Sequence, residues 1–135
     1  MEIDKELERQ VLLAPVWNQK DDQHPDIILL ITSDTLGKES PELGKRLMYS
    51  FLYSLTEMPP RVRSIILINS AVKLALKKSK VLEPLLLLYE NKVGILICEE
   101  SVHYYSSVGE VAAGRTVNMY TIANILISSS HVISI

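Results

Sequence analysis

The sequence predicts an α/β fold, a three-layer α/β/α sandwich built on a mainly parallel sheet. Three observations carry that expectation. Short continuous apolar runs at 27–31, 65–68 and 94–98 read as strands buried on both faces. Stretches of helical period stand between them. The connections are long enough for crossovers, and right-handed crossovers between parallel strands wind such a sheet. With 135 residues the chain has the size of one domain.

The first strand ends at Thr32-Ser33-Asp34. Ser40-Pro41-Glu42 then sets a helix start: a serine N-cap, proline at the first helical position and an acid in the first turn. Leu43, Leu47, Phe51, Leu55 and Met58 recur every three to four residues and are expected to face the core. Pro59-Pro60 stops that helix. The second strand is expected over 65–68, and a helix over 81–91 carries Leu82, Leu85, Leu86 and Tyr89. The third strand, 94–98, leads into a turn or short helix. Asn118 is placed to cap a last helix bearing Met119, Ile122, Ala123 and Leu126, and a last strand is expected at 132–135.

Composition narrows the function classes. Hydrophobic residues are 47% and charged residues 22%, which suits a folded globular chain and not a disordered one. A net charge of −2 argues against a nucleic-acid binder. One cysteine, Cys98, makes neither an internal disulfide nor a zinc site alone, and His24, His103 and His131 lack metal spacing. No metal and no cofactor is expected. The amino terminus MEIDKELERQ is charged, unlike a signal peptide, so a reducing cytoplasm is the expected location.

Residues 116–135 carry no Asp, Glu, Lys or Arg, a length that could span a bilayer. They hold Asn118, Thr121, Asn124, Ser128, Ser129, Ser130 and His131, too many polar groups to leave unsatisfied in lipid. A buried helix followed by a buried strand is expected there, and no membrane. Charge is uneven, with a net of −4 over 1–26 and +2 over 27–135. The polar stretch 18–25 reads as a linker, and Val11, Leu12, Leu13, Val16 and Trp17 form a small apolar cluster for the domain or a second subunit. The division is an extension and linker over 1–25 and one domain over 26–135.

Ligand chemistry in an open parallel sheet sits at the carboxyl ends of the strands, which selects the loops 32–40, 69–80 and 98–110. Cys98 ends a strand there. A thiolate in that place attacks a disulfide or accepts sulfur as a persulfide. A helix start after it would favour the thiolate, whereas Glu99 and Glu100 would oppose it. The alternative is a small apolar side chain in the core.

Ser33-Asp34-Thr35-Leu36-Gly37-Lys38 offers hydroxyls, N–H groups and a glycine to an anion, distantly like the hydroxyl-rich loop of flavodoxins. The same residues also suit a self-bonded turn. Lys73, Lys77, Lys78 and Lys80 are either an attraction for an anionic partner or a solvated rim. His103, with Tyr104 and Tyr105, follows the cysteine and could exchange a proton beside it. No catalytic triad, carboxylate pair, HExxH or phosphate-loop motif is present.

Three stretches resemble the DsrE-like family, most closely the carboxyl-terminal domain of YedF-type proteins, which are sulfurtransferase-like and linked by name to selenium metabolism. The first joins Ser33-Asp34-Thr35-Leu36-Gly37, Glu42-Leu43-Gly44 and Ser50-Phe51-Leu52-Tyr53-Ser54-Leu55-Thr56-Glu57. The second is Leu67-Ile68-Asn69-Ser70-Ala71-Val72-Lys73-Leu74. The third runs from Val93-Gly94-Ile95-Leu96-Ile97-Cys98 through Tyr104-Tyr105 and Val117-Asn118-Met119-Tyr120 to Val132-Ile133-Ser134-Ile135.

The resemblance implies a three-layer fold of flavodoxin-like shape, homo-oligomers, and a cysteine at the position of Cys98 that carries sulfur as a persulfide. This sequence departs from the pattern in two places. A second cysteine usually lies three residues further on, where Ser101 stands, and the loop glycine is replaced by Ser106. YedF-type proteins also usually carry a TusA-like domain with a Cys-Pro-x-Pro motif, which does not occur here. A separate TusA-like donor or acceptor protein is therefore implied.

The leading expectation is a sulfur-relay protein, a sulfurtransferase acting through Cys98 on sulfur or on selenium. Ser33, Asp34, Thr35, Asn69, Ser70, Ser101 and His103 are the candidates for holding what it binds. The rival expectations are a non-catalytic assembly subunit of the same family and a small-molecule or nucleotide-binding domain using the 33–37 loop.

Overall fold

In a computed structural model the chain is described over residues 25–135, Pro60 excepted. The extension, the Val11 to Trp17 cluster and linker residues 18–24 lie outside the described residues. The elements alternate as expected. They run β1 (Ile27–Ile31), α1 (Pro41–Thr56), β2 (Val62–Leu67), a 3₁₀ helix (Asn69–Ala75), α2 (Leu82–Glu90) and β3 (Gly94–Cys98). Then come α3 (Glu99–Tyr105), β4 (Arg115–Val117), α4 (Met119–Ser128) and β5 (His131–Ser134).

The sheet has five strands in the order β4-β3-β2-β1-β5, and every pair in it is parallel. Three successive crossovers step one way across the sheet and the fourth steps back past β1. Right-handed crossovers therefore place α1, α2 and α3 over one face and send α4 over the other, giving three layers. Every residue of β1, β2 and β3 that is fully buried is apolar, from Ile28 through Ile65, Ile66 and Leu67 to Ile95 and Ile97. That is the continuous apolar signature of a parallel sheet covered on both sides.

The local signals in the sequence work as their chemistry predicts. Ser40 Oγ accepts a hydrogen bond from the Leu43 N–H at 3.2 Å, and Pro41 opens α1. Asn118 Oδ1 accepts from the Thr121 N–H at 2.9 Å and caps α4. Gly44 lets the loop after β1 fold back on α1: the Leu36 N–H bonds the Gly44 carbonyl at 3.0 Å, and a Cβ on Gly44 would stand 2.8 Å from Thr35 Cβ.

Four expectations need correction. The buried stripe of α1 is Gly44, Met48 and Leu52, flanked by half-buried Phe51 and Leu55, while Leu43 is 52% and Leu47 42% exposed. The apolar pattern of α1 is wide enough to suit two rotations, and packing of Gly44 against Thr35 selects one. The second strand starts three residues early, because Val62 and Ser64 pair with β1 although Arg63 and Ser64 interrupt the apolar run. The segment 69–75 is a 3₁₀ helix carrying buried Ala71, Val72, Leu74 and Ala75 where a loop was expected.

Last, 116–135 is not buried as a unit. Ile122 is the one buried residue of α4, and all four residues of β5 are exposed. β5 is an edge strand bonded to β1 alone, so one side of it meets solvent in the single chain. Its His131 lies 3.1 Å from Asp26, which ties the start of the domain to that edge. Among the described residues no helix is long and apolar enough to cross a membrane.

Candidate functional site

The carboxyl ends of β1, β2 and β3 bring three loops together, as strand order alone requires. Hydrogen bonds then fasten each loop to the next. The Asp34 N–H donates to Ser70 Oγ at 3.2 Å, and the Ser70 hydroxyl donates back to Asp34 Oδ1 at 3.2 Å. The Asn69 N–H donates to Ser101 Oγ at 2.9 Å. Asn69 has φ +55°, a left-handed conformation that asparagine tolerates better than most residues, and this turns its N–H toward α3.

Cys98 is the last residue of β3 and stands opposite Val117 of β4 in the ladder. It also occupies the N-cap position of α3, with extended backbone and no capping bond from its side chain. Only 2% of its surface is exposed, on the floor of a shallow depression of about 460 Å³. Asn69 and Ile68 form one wall, Glu100, Ser101, Tyr104 and Tyr105 another, and Met119 of α4 closes the third side. Tyr104 and Tyr105 meet edge to face at 4.9 Å, and Lys73 Nζ lies 4.7 Å over the Tyr105 ring. Glu99 and Glu100 fill the first turn of α3, where carboxylates favour the helix dipole. Glu100 alone of the two reaches the depression.

The candidates named from sequence divide into four groups. Cys98, Asn69 and Ser101 share the depression. Ser70 and Asp34 bond one another behind it and brace the Asn69 turn. Ser33 and Thr35 bond among themselves: Ser33 Oγ accepts the Thr35 N–H at 3.2 Å and lies 3.2 Å from Thr35 Oγ1, which donates to the Gly37 carbonyl at 3.1 Å. That is a self-bonded turn with Gly37 at φ +88°. His103 is exposed on α3 and does not line the depression.

Met119 belongs to the depression, whereas helical spacing reads it only as part of the apolar pattern of α4. Its place depends on β4 bringing the start of α4 beside β3, and the three-residue strand Arg115–Val117 carries no apolar run to announce it. Elsewhere, on the outer side of α1, the Tyr53 phenol is held above its ordinary range, first by the Glu83 carboxylate and then by Tyr49. No group of three side chains suited to a metal ion occurs among the described residues.

No family model matches the chain, and no curated protein matches its sequence. Solved structures do. The ychN protein of E. coli superposes with a TM-score of 0.56 at 16% identity, over 82% of this chain and 99% of that one. A conserved protein of unknown function from Bacteroides thetaiotaomicron superposes at 0.54 and 13% identity, over 82% and 95%. At such identities the likeness speaks for architecture. The parallel five-stranded sheet and its covering helices have the DsrE-like fold shared with these two proteins.

Proposed function

We propose that this chain is a sulfur-relay protein that carries sulfane sulfur as a persulfide on Cys98. One observation supports the reading above the others: the single thiol closes the carboxyl end of a central strand and forms the floor of an open depression. The chemistry balances without an added oxidant. The Cys98 thiolate attacks the terminal sulfur of a donor persulfide, an S–S bond forms on Cys98 Sγ, and the donor leaves as a thiolate. A partner thiolate then attacks the carried sulfur, and Cys98 is released as the thiolate it was.

Ser101 stands where a resolving cysteine would be, and its oxygen accepts the Asn69 N–H. The carried sulfur must therefore leave on a second protein. A TusA-like protein fits that role, in a cytoplasmic, YedF-type pathway of sulfur or selenium. Tyr104 on α3 is 82% exposed, and Tyr120 and Ile127 on α4 are 80% and 84% exposed. Such apolar exposure supports a homo-oligomer.

The test is intact-mass spectrometry of reduced protein after incubation with a sulfane-sulfur donor, beside Cys98→Ser. The expected result is a gain of one sulfur atom that requires Cys98 and is removed by a thiol. No gain, with Cys98 resisting alkylation until the protein unfolds, would overturn the relay. The burial of Cys98 favours one second reading in that event, an assembly subunit that keeps the fold without the transfer.

A further inference from the structure

We infer a second binding site, for a nucleoside phosphate, in the groove between α1 and the segment that leads into α2. The groove measures about 750 Å³, within the range of small-molecule sites, and shares no lining residue with the Cys98 depression. Its rim is cationic from two sides. Lys45 and Arg46 project from α1, and Lys80 faces them from the far wall. Arg46 pairs with Glu42 at 2.9 Å, while Lys45 and Lys80 have no ion-pair partner among the described residues. The lone acid at the rim is Asp34, whose carboxylate already accepts the Ser70 hydroxyl. Lys45 and Lys80 converge from separate elements against one lining carboxylate, Asp34, and leave a net positive field that a phosphate neutralises.

The walls suit the remainder of such a molecule. Leu74 and Val81 are buried at the base and supply an apolar floor. Tyr49 offers a part-exposed ring, braced by Tyr53 at 5.5 Å, on which a planar base stacks. The wall that bears Lys80 is held before any ligand arrives. Its Lys77 N–H bonds the Glu110 carbonyl at 2.9 Å, the Ala112 N–H bonds the Ala75 carbonyl at 2.8 Å, and the Val81 N–H bonds Ser79 Oγ at 3.1 Å. A preformed wall loses little freedom on binding.

The experiment is calorimetric titration of the full chain with ADP, adenosine and inorganic phosphate at low and high salt. Wild type is compared with the double variant Lys45→Ala/Lys80→Ala, with Tyr49→Leu, and with Arg115→Ala on the opposite edge of the sheet as a control. All replaced side chains are exposed, and circular dichroism checks that each variant folds. ADP is expected to bind more tightly than either adenosine or phosphate. The double variant should weaken it by about tenfold or more, Tyr49→Leu by a few-fold, Arg115→Ala not at all, and added salt should weaken the wild type. No ADP binding at millimolar concentration would overturn the site. So would binding of adenosine as tight as that of ADP, or ADP affinity unchanged in the double variant. A Cys98→Ser chain should bind ADP as wild type does, which keeps this outcome separate from the fate of the sulfur relay.

Discussion

The Asn69 N–H and Ser101 Oγ, 2.9 Å apart, join the end of β2 to the first turn of α3 across the mouth of the Cys98 depression. The bond gives Ser101 a structural role. It also fixes Asn69 in its left-handed turn at φ +55°. Ser101→Ala should cost about 0.5–1 kcal/mol, the net contribution of an exposed hydrogen bond. Thermal melting should fall by several degrees, with Asn69→Gly close to neutral because glycine accepts that φ. A Ser101→Ala protein as stable as wild type would show that water replaces the hydroxyl.

Gly114 holds β4 against β3. Its φ is +83°, and a Cβ there would stand 2.6 Å from Ile95 Cβ and closer still to the Ile95 carbonyl oxygen. The nearest of these atoms is backbone and the Cβ is fixed to it, so neither yields as the end of a flexible side chain would. Gly114→Ala should therefore destabilise the domain by roughly 2–4 kcal/mol, measured by urea unfolding. The Cys98–Val117 pairing lies three residues on, so Cys98 should alkylate faster in whatever fraction folds.

The rotation of α1 can be tested by paired truncations. Leu52 lies outside the stripe expected from spacing and is fully buried, whereas Leu43 belongs to that stripe and is 52% exposed. Leu52→Ala should cost about 2–5 kcal/mol and Leu43→Ala less than about 0.5. Equal costs in chemical denaturation would mean that α1 is turned toward the stripe expected from its spacing.

Tyr53 supplies a prediction at alkaline pH. Glu83 chiefly, then Tyr49, oppose its phenolate and raise its ionisation above the ordinary value of 10.0. The folded chain thus holds the proton more tightly than the unfolded one. The corresponding stability is fully present below pH 10.0 and is lost as the pH rises through the folded value. Ultraviolet titration, taken as the difference from Tyr53→Phe, should place this ionisation above that of free tyrosine. Glu83→Gln should bring it down.

Local chemistry made much of the architecture legible. The apolar runs of β1 and β3, the Ser40-Pro41 start of α1 and the Asn118 cap depend on neighbours a few residues away, and each forms where the sequence places it. The position of Cys98 at a strand end is equally local. What escaped depends on distant partners. β4 is a strand because Leu96, Ile97 and Cys98 pair with it, not because Arg115-Thr116-Val117 is apolar. The face of α1 is chosen by Thr35 meeting Gly44, a contact between a loop and a helix.

The same division holds for the depression. Pattern placed Cys98 at a strand end and Asn69 in the loop after another, and resemblance pointed to Ser101, but neither could decide that Asn69 and Ser101 bond each other or that Met119 lines the same depression. Nor could it separate Ser33 and Thr35, which satisfy their own turn, from Asp34 and Ser70, which bind two loops together. Local pattern set most of the alternation of strands and helices, and the end of the sheet at which the thiol stands. Tertiary structure decided which hydroxyls are spent within the protein, which helix face is inside and which strand is left at the edge. Those outcomes depend on contacts between segments tens of residues apart, where packing space and hydrogen-bond satisfaction, not periodicity, make the choice.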